Sequence, residues 1–589
     1  MNERRKRIAV TTDHKTFVIH FDYDAALVAA VKALPERKFD GAAKTWKVPA
    51  RISNLEPLTQ FATKNDFDLD ENVVATFEEI ASAHAEAVAA SRAESASTEV
   101  EGLGGELLPF QRAGVAYALA KKRTFIADEM GLGKTVQALA TIQAAQAYPA
   151  LVVCPASLKL NWEREARKWL PGKSISLLNG KNRAEDFAAQ IVIINYDNLK
   201  KNLEMLEKCG FQAIVADESH YAKNYEAQRT EALKKLCAGR EYRLFLTGTP
   251  LLNRPQELLS QLGAMGRLEE MGGFWQFAKR YCSAYKSRFG WDFSGAAHLD
   301  ELNEKLRASC YVRRNKKDVL KELPPKQRAM VPVEIDNRTE YQRAERELIA
   351  WLRERAAADK TFLASIKDLS DEEKKAAKAA RADQAEHKAR SAEQLVKIEA
   401  LKQLAARGKL EAVKEWTESF IETGEKLVIF AWHREIVDGL AETFRCDAIT
   451  GETPIETRQA AVDKFQNDPA TKIICLNVQA GGLGLTLTAA SNVVFVELGW
   501  TPAVHDQAED RCHRIGQEDQ VTAWYLVANN TIDQTISALI ESKRTVVDAA
   551  TEGDIQAKQT SVMNDLVNNL TQMTAKEQGS GIRCRPVAC

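Results

Sequence analysis

The chain has 589 residues, room for three or four domains at roughly 150 residues each. Hydrophobic residues make up 45% and charged residues 28%, which rules out a wholly disordered or fibrous protein. Lys plus Arg (81) nearly balances Asp plus Glu (82), so bulk attraction to nucleic acid or an anionic membrane is unsupported and any such contact must come from a local basic patch.

The basic start, Met1 to Arg7, has no apolar segment behind it and is not a secretory signal. Residues 8–75 alternate apolar and polar runs. Phe17–Phe21 and Thr45–Pro49 read as strands, and Tyr23–Leu34 has helical spacing, so a small α/β unit is expected. Residues 84–105 are rich in Ala, Ser and Glu and read as a helix tail or flexible linker. A strand–helix rhythm follows, with strands at Thr124–Ala127, Ala150–Cys154, Ile191–Ile194, Ala213–Ala216 and Leu244–Thr247. Helices are expected at Thr135–Ala147 and Leu158–Trp169. Continuous apolar runs of this length suit buried parallel strands in a doubly wound sheet. Residues 266–425 interrupt the rhythm with a helical, highly charged pattern, and Glu372–Lys388 reads as exposed helix. Strands resume at Lys426–Phe430, Lys472–Leu476 and Asn492–Val496, predicting a second α/β sheet. The last forty residues are polar, and Gln578–Cys589 reads as a loose tail. The ten cysteines form no CxxC pair, which predicts reduced thiols with neither a zinc site nor a disulfide frame. No apolar run reaches the roughly 18 residues of a membrane span, so a soluble, intracellular protein without membrane contact is expected.

Asp128-Glu-Met-Gly-Leu-Gly-Lys-Thr135 follows a strand and opens a helix, the setting of a phosphate loop. Backbone N–H groups around Gly131 and Gly133 can approach phosphates at a helix N-terminus, Lys134 would reach the β- and γ-phosphates, and Thr135 would hold Mg²⁺. Asp128 stands where the usual pattern has its first Gly, and a chance Gly-Lys-Thr at a helix start is the plainer alternative. Asp217-Glu218-Ser219-His220 ends an apolar run; Asp217 suits the Mg²⁺ shell and Glu218 the attacking water, while a solvated acidic turn is the alternative. Leu246–Pro250 and Gly481–Thr486 are equally readable as simple turns. Arg511 and Arg514 share one helix face and could clamp a transferring phosphoryl group, or could form a surface basic cluster.

Taken in order, these segments resemble the superfamily 2 helicase-like ATPases, and among them the SNF2 family. Leu108-Pro-Phe-Gln111 looks like the adenine-reading segment, and Asp128, Glu129, Met130, Gly131, Leu132, Gly133, Lys134 and Thr135 match motif I in that family's own form. Val153–Ser157 with Asn161-Trp162 resembles motif Ia, Asn195-Tyr196 motif Ib, Asp217–His220 motif II and Leu246–Pro250 motif III. Phe430–His433 resembles motif IV, Gln479–Thr488 motif V and Gln507–Gln517 motif VI. His220 and Gln517 favour duplex-DNA translocation over the RNA strand separation of DEAD-box proteins, and Thr531–Ile536 with Lys543 resembles the helix that braces the two lobes. Phe17–Phe67 is similar to the HARP module of annealing helicases, where Trp46, Arg37, Lys38 and Lys47 could meet bases or phosphates; Trp46 could equally be core.

The resemblance implies two RecA-like parallel-sheet lobes with a helical insertion between them, plus a small N-terminal α/β domain. The implied layout is a junction-binding domain at 1–83, a linker at 84–105, lobe 1 at 106–265, the insertion at 266–425, lobe 2 at 426–545 and a tail at 546–589. It implies a DNA-dependent ATPase using ATP and Mg²⁺, with Gln111, Lys134, Thr135, Asp217 and Glu218 from lobe 1 and Gln507, Arg511 and Arg514 from lobe 2 at the catalytic site. Ser157, Asn195, His433 and Gly484 would touch the DNA backbone, in cytoplasm or nucleus according to host. The implied activity is remodelling of duplex, forked or single-strand/duplex junction DNA with strand annealing. Displacement of bound protein such as RNA polymerase, or a non-catalytic DNA-binding scaffold, are the alternatives.

Overall fold

The computed structural model describes residues 6–179, 182–248, 255–287, 290–293, 295–365, 384–481, 484–552 and 562–572. Short alternating strands build the N-terminal sheet: β1 (Arg7–Val10), β2 (Thr16–His20), β3 (Lys38–Asp40), β4 (Thr45–Pro49) and β5 (Asp68–Leu69), in the order β3-β4-β2-β1-β5. All its pairs are antiparallel except β1 with β5. Ile8, Phe17, Ile19 and Val48 bury one face of the sheet against Leu27, Val31, Leu58 and Phe61 of two helices. Asp24 caps the first helix, Ala25–Val31, by accepting from Ala26 N at 2.7 Å and Leu27 N at 2.9 Å.

Helix Glu71–Arg92 leaves this unit and runs unbroken to lobe 1, packing on helix Leu299–Ser309. The expected boundary at residue 83 therefore falls inside a helix, and most of the expected linker's first half is a rigid strut. Its end is anchored by Ser91 Oγ, which donates to Tyr311 O at 2.6 Å in a buried setting.

Lobe 1 is a seven-stranded parallel sheet of β6 (Arg123–Ile126), β7 (Ala150–Cys154), β8 (Ile175–Leu177), β9 (Ile191–Asn195), β10 (Ala213–Ala216), β11 (Tyr242–Leu246) and, beyond the hairpin of β12 (Tyr285–Ser287) and β13 (Gly290–Asp292), β14 (Tyr311–Val312). Its order is β14-β6-β11-β10-β7-β9-β8. β7, β9 and β10 are buried along their whole length, as strands covered by helices on both faces must be. Lobe 2 is a six-stranded parallel sheet ordered β15-β20-β19-β16-β18-β17, with β15 (Lys326–Val333), β16 (Leu427–Ala431), β17 (Asp447–Ile449), β18 (Ile473–Asn477), β19 (Asn492–Phe495) and β20 (Val521–Ala528).

The stretch 266–425 is not a helical insertion throughout. β14 closes the lobe 1 sheet and β15 forms an edge of the lobe 2 sheet, so the crossing between lobes lies between Val312 and Lys326. β14 is too short to show a period, and the charges of β15, with Pro332, are tolerable only because it is an edge strand. Two long helices, Arg338–Ser365 and Gln384–Gly408, do follow β15; residues 366–383, including most of the expected exposed helix, lie outside the described residues. Within the expected polar tail, helix Val562–Gln572 fully buries Leu566 and Leu570, while Gln578–Cys589 lie outside the described residues. No described helix is long and apolar enough to cross a membrane, and eight described cysteines are free thiols.

Candidate nucleotide site between the two lobes

The loop between β6 and helix Lys134–Ala144 turns twice through left-handed backbone, at Gly131 (φ +84°) and Gly133 (φ +76°). Gln111 Nε2 donates to Leu132 O at 3.2 Å and its Oε1 accepts from Leu108 N at 3.0 Å, so the expected adenine-reading segment is tied to the loop. Lys134 Nζ donates to Asp128 O at 2.8 Å and Glu129 O at 3.3 Å. Burial lowers its pKa, against the pull of Glu218, Asp128 and Asp217. Thr135 follows at the first turn of the helix. Met130 packs against Gly248 of the expected motif III, while Thr249 and Pro250 lie outside the described residues.

Asp128 does not face the phosphate-binding side of the loop. It is fully buried, and its carboxylate accepts from Arg314 Nε at 3.0 Å, Arg314 Nη2 at 2.7 Å, Arg314 N at 2.9 Å and Gln137 Nε2 at 2.9 Å. Glu129 turns the same way and accepts from Lys316 N at 2.6 Å. These two carboxylates, expected to serve the nucleotide, instead anchor the loop to residues 313–316.

At the end of β10, Asp217 Oδ2 accepts from Trp162 Nε1 at 2.8 Å, and Asp217 O from the Tyr196 hydroxyl at 2.8 Å. Trp162 and Tyr196 belong to segments expected to face DNA, yet their polar atoms grip motif II. Glu218 is held in left-handed backbone (φ 47°, ψ 54°), an uncommon conformation for a residue with a Cβ and one associated with functional sites. Its buried Oε2 lies 3.4 Å from His220 Nδ1 without a hydrogen bond. Burial and the Glu218 charge push Asp217 upward, whereas Glu218 is held low because His220, Lys134 and Arg511 outweigh its own burial. Two adjacent buried carboxylates facing Lys134 and Arg511 are an arrangement able to bind a cation and orient water.

Lobe 2 brings Arg511 and Arg514 to this cleft. A Cβ on Gly131 would stand 2.7 Å from Arg514 Cβ, so only glycine allows the approach. Arg514 Nη1 donates to Thr486 Oγ1 at 3.0 Å and Leu485 O at 3.3 Å of the expected motif V. Arg511 is buried and feels both Glu218 and Asp217; burial and then Arg514 lower its pKa to about 10. Gln507 is half-buried on helix Pro502–Glu509 of the same lobe.

Residues 313–316, missed in the sequence, join these parts. Arg313 Nη1 donates to Ala127 O at 2.8 Å, and Arg314 donates to Phe110 O as well as to Asp128. Lys316 Nζ crosses to lobe 2, donating to His513 O at 2.5 Å and pairing with Asp510 at 2.9 Å. The available signal was a basic run, Arg-Arg-Asn-Lys, directly after the apolar pair Tyr311-Val312.

The expected DNA contacts fall on several surfaces. Ser157 is half-buried, its Oγ without a hydrogen-bond partner, and Asn195 is buried and accepts from Asn198 at 2.8 Å. His433 is fastened by Glu497, 2.5 Å from its Nδ1, which leaves little freedom to reach a phosphate. Gly484 meets Leu158 across the lobes, where a Cβ would overlap the leucine; Gly482 and Leu483 lie outside the described residues. Trp46 is half-buried in the N-terminal sheet, 5.0 Å from the half-exposed ring of Phe39.

Comparison with known proteins agrees with this layout. The SNF2-related domain model matches residues 110–404, half of the chain, and the helicase conserved C-terminal domain model matches residues 408–516. The chain is 34% identical over 472 residues to the DNA annealing helicase and endonuclease ZRANB3 of Mus musculus, covering 76% of this chain and 41% of that protein. It is 34% identical over 474 residues to the SWI/SNF-related matrix-associated actin-dependent regulator of chromatin subfamily A-like protein 1 of Xenopus tropicalis, covering 79% and 47%. The Drosophila melanogaster protein of that name is 31% identical, with 89% and 66% covered. The chain thus spans less than half the length of the first two. The solved SWI2/SNF2 ATPase core of Sulfolobus solfataricus in complex with dsDNA is 24% identical with a TM-score of 0.36, covering 83% of this chain and 99% of that one. With the family model matching half its length and the paired lobes it presupposes both present, the chain belongs to the SNF2 family.

Proposed function

We propose that the protein is a DNA-dependent ATPase that translocates on duplex or branched DNA, with remodelling of forks or junctions and strand annealing as its specific work. The observation that carries the reading is the convergence of Lys134, Asp217 and Glu218 from one lobe with Arg511 and Arg514 from the other on a single cleft. The residues suit a magnesium nucleotide: Lys134 and the loop amides for phosphate, Thr135 and Asp217 for the cation, and Gln111 for the base. Bound MgATP supplies the phosphoryl group for transfer to water. Glu218, kept ionised, orients that water and accepts its proton; Arg511 and Arg514 balance charge that develops on the phosphoryl oxygens. Closing the lobes on nucleotide and reopening them would move the protein along DNA. Phosphate contacts would make that binding sequence-independent. The likeness to a DNA annealing helicase supports the annealing part of this reading, which would act wherever chromosomal DNA lies.

The test is ATP hydrolysis with no DNA, single strand, blunt duplex, forked duplex and RNA. Fork above blunt duplex is expected. Lys134→Ala should lower the rate by roughly a hundredfold or more while DNA binding persists. Stimulation by RNA alone, or full activity in that variant, would overturn the reading.

A further inference from the structure

Away from the cleft, lobe 1 carries a patch of aromatic rings that neither the core nor the nucleotide site uses. Twelve large apolar side chains are exposed among the described residues, and three of them fall together: Tyr225 (58% exposed), Trp275 (49%) and Trp291 (40%). Trp275, on helix Gly273–Tyr281, and Trp291, on β13, lie 4.7 Å apart between ring centroids. Phe274 lies 5.3 Å from Trp275, and Phe293 lies 6.4 Å from both tryptophan rings, which fixes them without covering them. Tyr225 joins through Phe274 at 6.3 Å.

Two features say what these faces are for. Among the described residues the patch carries no exposed large aliphatic side chain, but it does carry the exposed ammonium groups of Lys279 and Lys286, with Lys286 directly opposite Trp291 in the hairpin register. Flat rings with flanking cations suit stacked bases and their phosphates, since every base offers a π-face whatever its sequence. The patch is also continuous with the motif II loop: Tyr225 follows His220 and Tyr221, and Tyr221 stacks on Tyr196 of the expected motif Ib at 5.4 Å. Single-stranded DNA leaving the duplex at the lobes would meet this hairpin next.

We propose that Tyr225, Trp275 and Trp291 form a stacking site for unpaired DNA bases, a second single-strand contact separate from the N-terminal module. It rests on the DNA-translocase reading for its biological setting, but its binding chemistry is measurable without ATP turnover. The probe is oligothymidylate, titrated into the full chain by fluorescence anisotropy beside a blunt duplex. Replacing both tryptophans with alanine (Trp275→Ala with Trp291→Ala) should weaken oligothymidylate binding roughly tenfold or more. Trp275→Phe with Trp291→Phe should recover most of it, and both pairs should keep duplex-stimulated ATP hydrolysis, which checks folding. Unchanged oligothymidylate affinity in the alanine pair would overturn the proposal. If that affinity is unchanged while sedimentation shows lost self-association, the surface binds protein and the proposal fails equally. Absence of DNA-stimulated hydrolysis in the wild type would overturn the translocase reading, and the oligothymidylate comparison would still decide the stacking site.

Discussion

Asp128 illustrates how far a motif letter can be from the job it suggests. It sits in a phosphate-loop pattern, yet its carboxylate is 0% exposed and paired with a guanidinium 3% exposed. Replacing both charges by apolar groups of similar volume can be neutral, but removing one strands the other in a dry site at a cost of about 3–5 kcal/mol. Arg314→Met should therefore destabilise lobe 1 by about that amount in urea unfolding. Adding Asp128→Leu to it should restore most of the loss. A single variant as stable as wild type would show that the pair does not hold the loop.

Among the elements, helix Pro502–Glu509 is tied by several buried ion pairs and hydrogen bonds. Glu509 is fully buried, meeting Lys326 at 2.7 Å and Arg328 at 2.7–2.8 Å from β15, and the Tyr525 hydroxyl at 2.6 Å from β20. Arg544, on helix Ile532–Glu552, reaches Asp506 at 3.0 Å. His505 on the same helix accepts from Gly499 N at its Nε2 (3.0 Å), which leaves Nδ1 to donate to Thr501 O (3.1 Å). A proton on Nε2 would face another donor. Burial accordingly lowers its pKa to about 4, with Arg544 and Lys402 adding to the shift and Glu509 opposing it. Between the unfolded value near 6.5 and the folded value of about 4, the unfolded chain holds more protons. His505 thus contributes stability that is complete above pH 6.5 and is lost as pH falls toward 4, on the order of 3 kcal/mol. Melting measured at pH 7 and pH 5 should show a larger drop for wild type than for His505→Gln, whose amide oxygen can accept from Gly499 without titrating. Equal drops would remove His505 from the account.

Across the whole chain, the N-terminal unit is mechanically joined to the nucleotide loop. The path runs along helix Glu71–Arg92 to Ser91, then to Arg307 at 3.2 Å, and from Ala93 O to Arg314 at 3.4 Å. Arg314 holds Asp128, and Lys316 two residues on reaches into lobe 2. Truncation should therefore depend on where the cut falls. Removing residues 1–70 should reduce the fork-to-duplex ratio of ATPase stimulation and spare most basal hydrolysis. Removing residues 1–92 should also lower the melting temperature, because it strips the strut from helix Leu299–Ser309. Identical behaviour of the two truncations, by calorimetry and by rate, would break the proposed link.

The residues that announce chemistry were legible in the linear order. Lys134, the Asp217-Glu218 pair and Arg511 with Arg514 stand at strand or helix ends, where continuous apolar runs such as Ala150–Cys154 and Ala213–Ala216 stop. Long buried strands declare themselves because both faces are covered and every position is apolar. Edge strands and partners distant in sequence do not. β14 and β15 carry too few or too mixed residues to show a period, and they pass the chain from one sheet to the other. Likewise, nothing local says that Arg314 will neutralise Asp128, that Trp162 will turn inward onto Asp217, or that Glu497 will restrain His433. Burial creates those pairings: a charge or donor removed from water must find its partner wherever folding brings one, and sequence separation plays no part in that requirement.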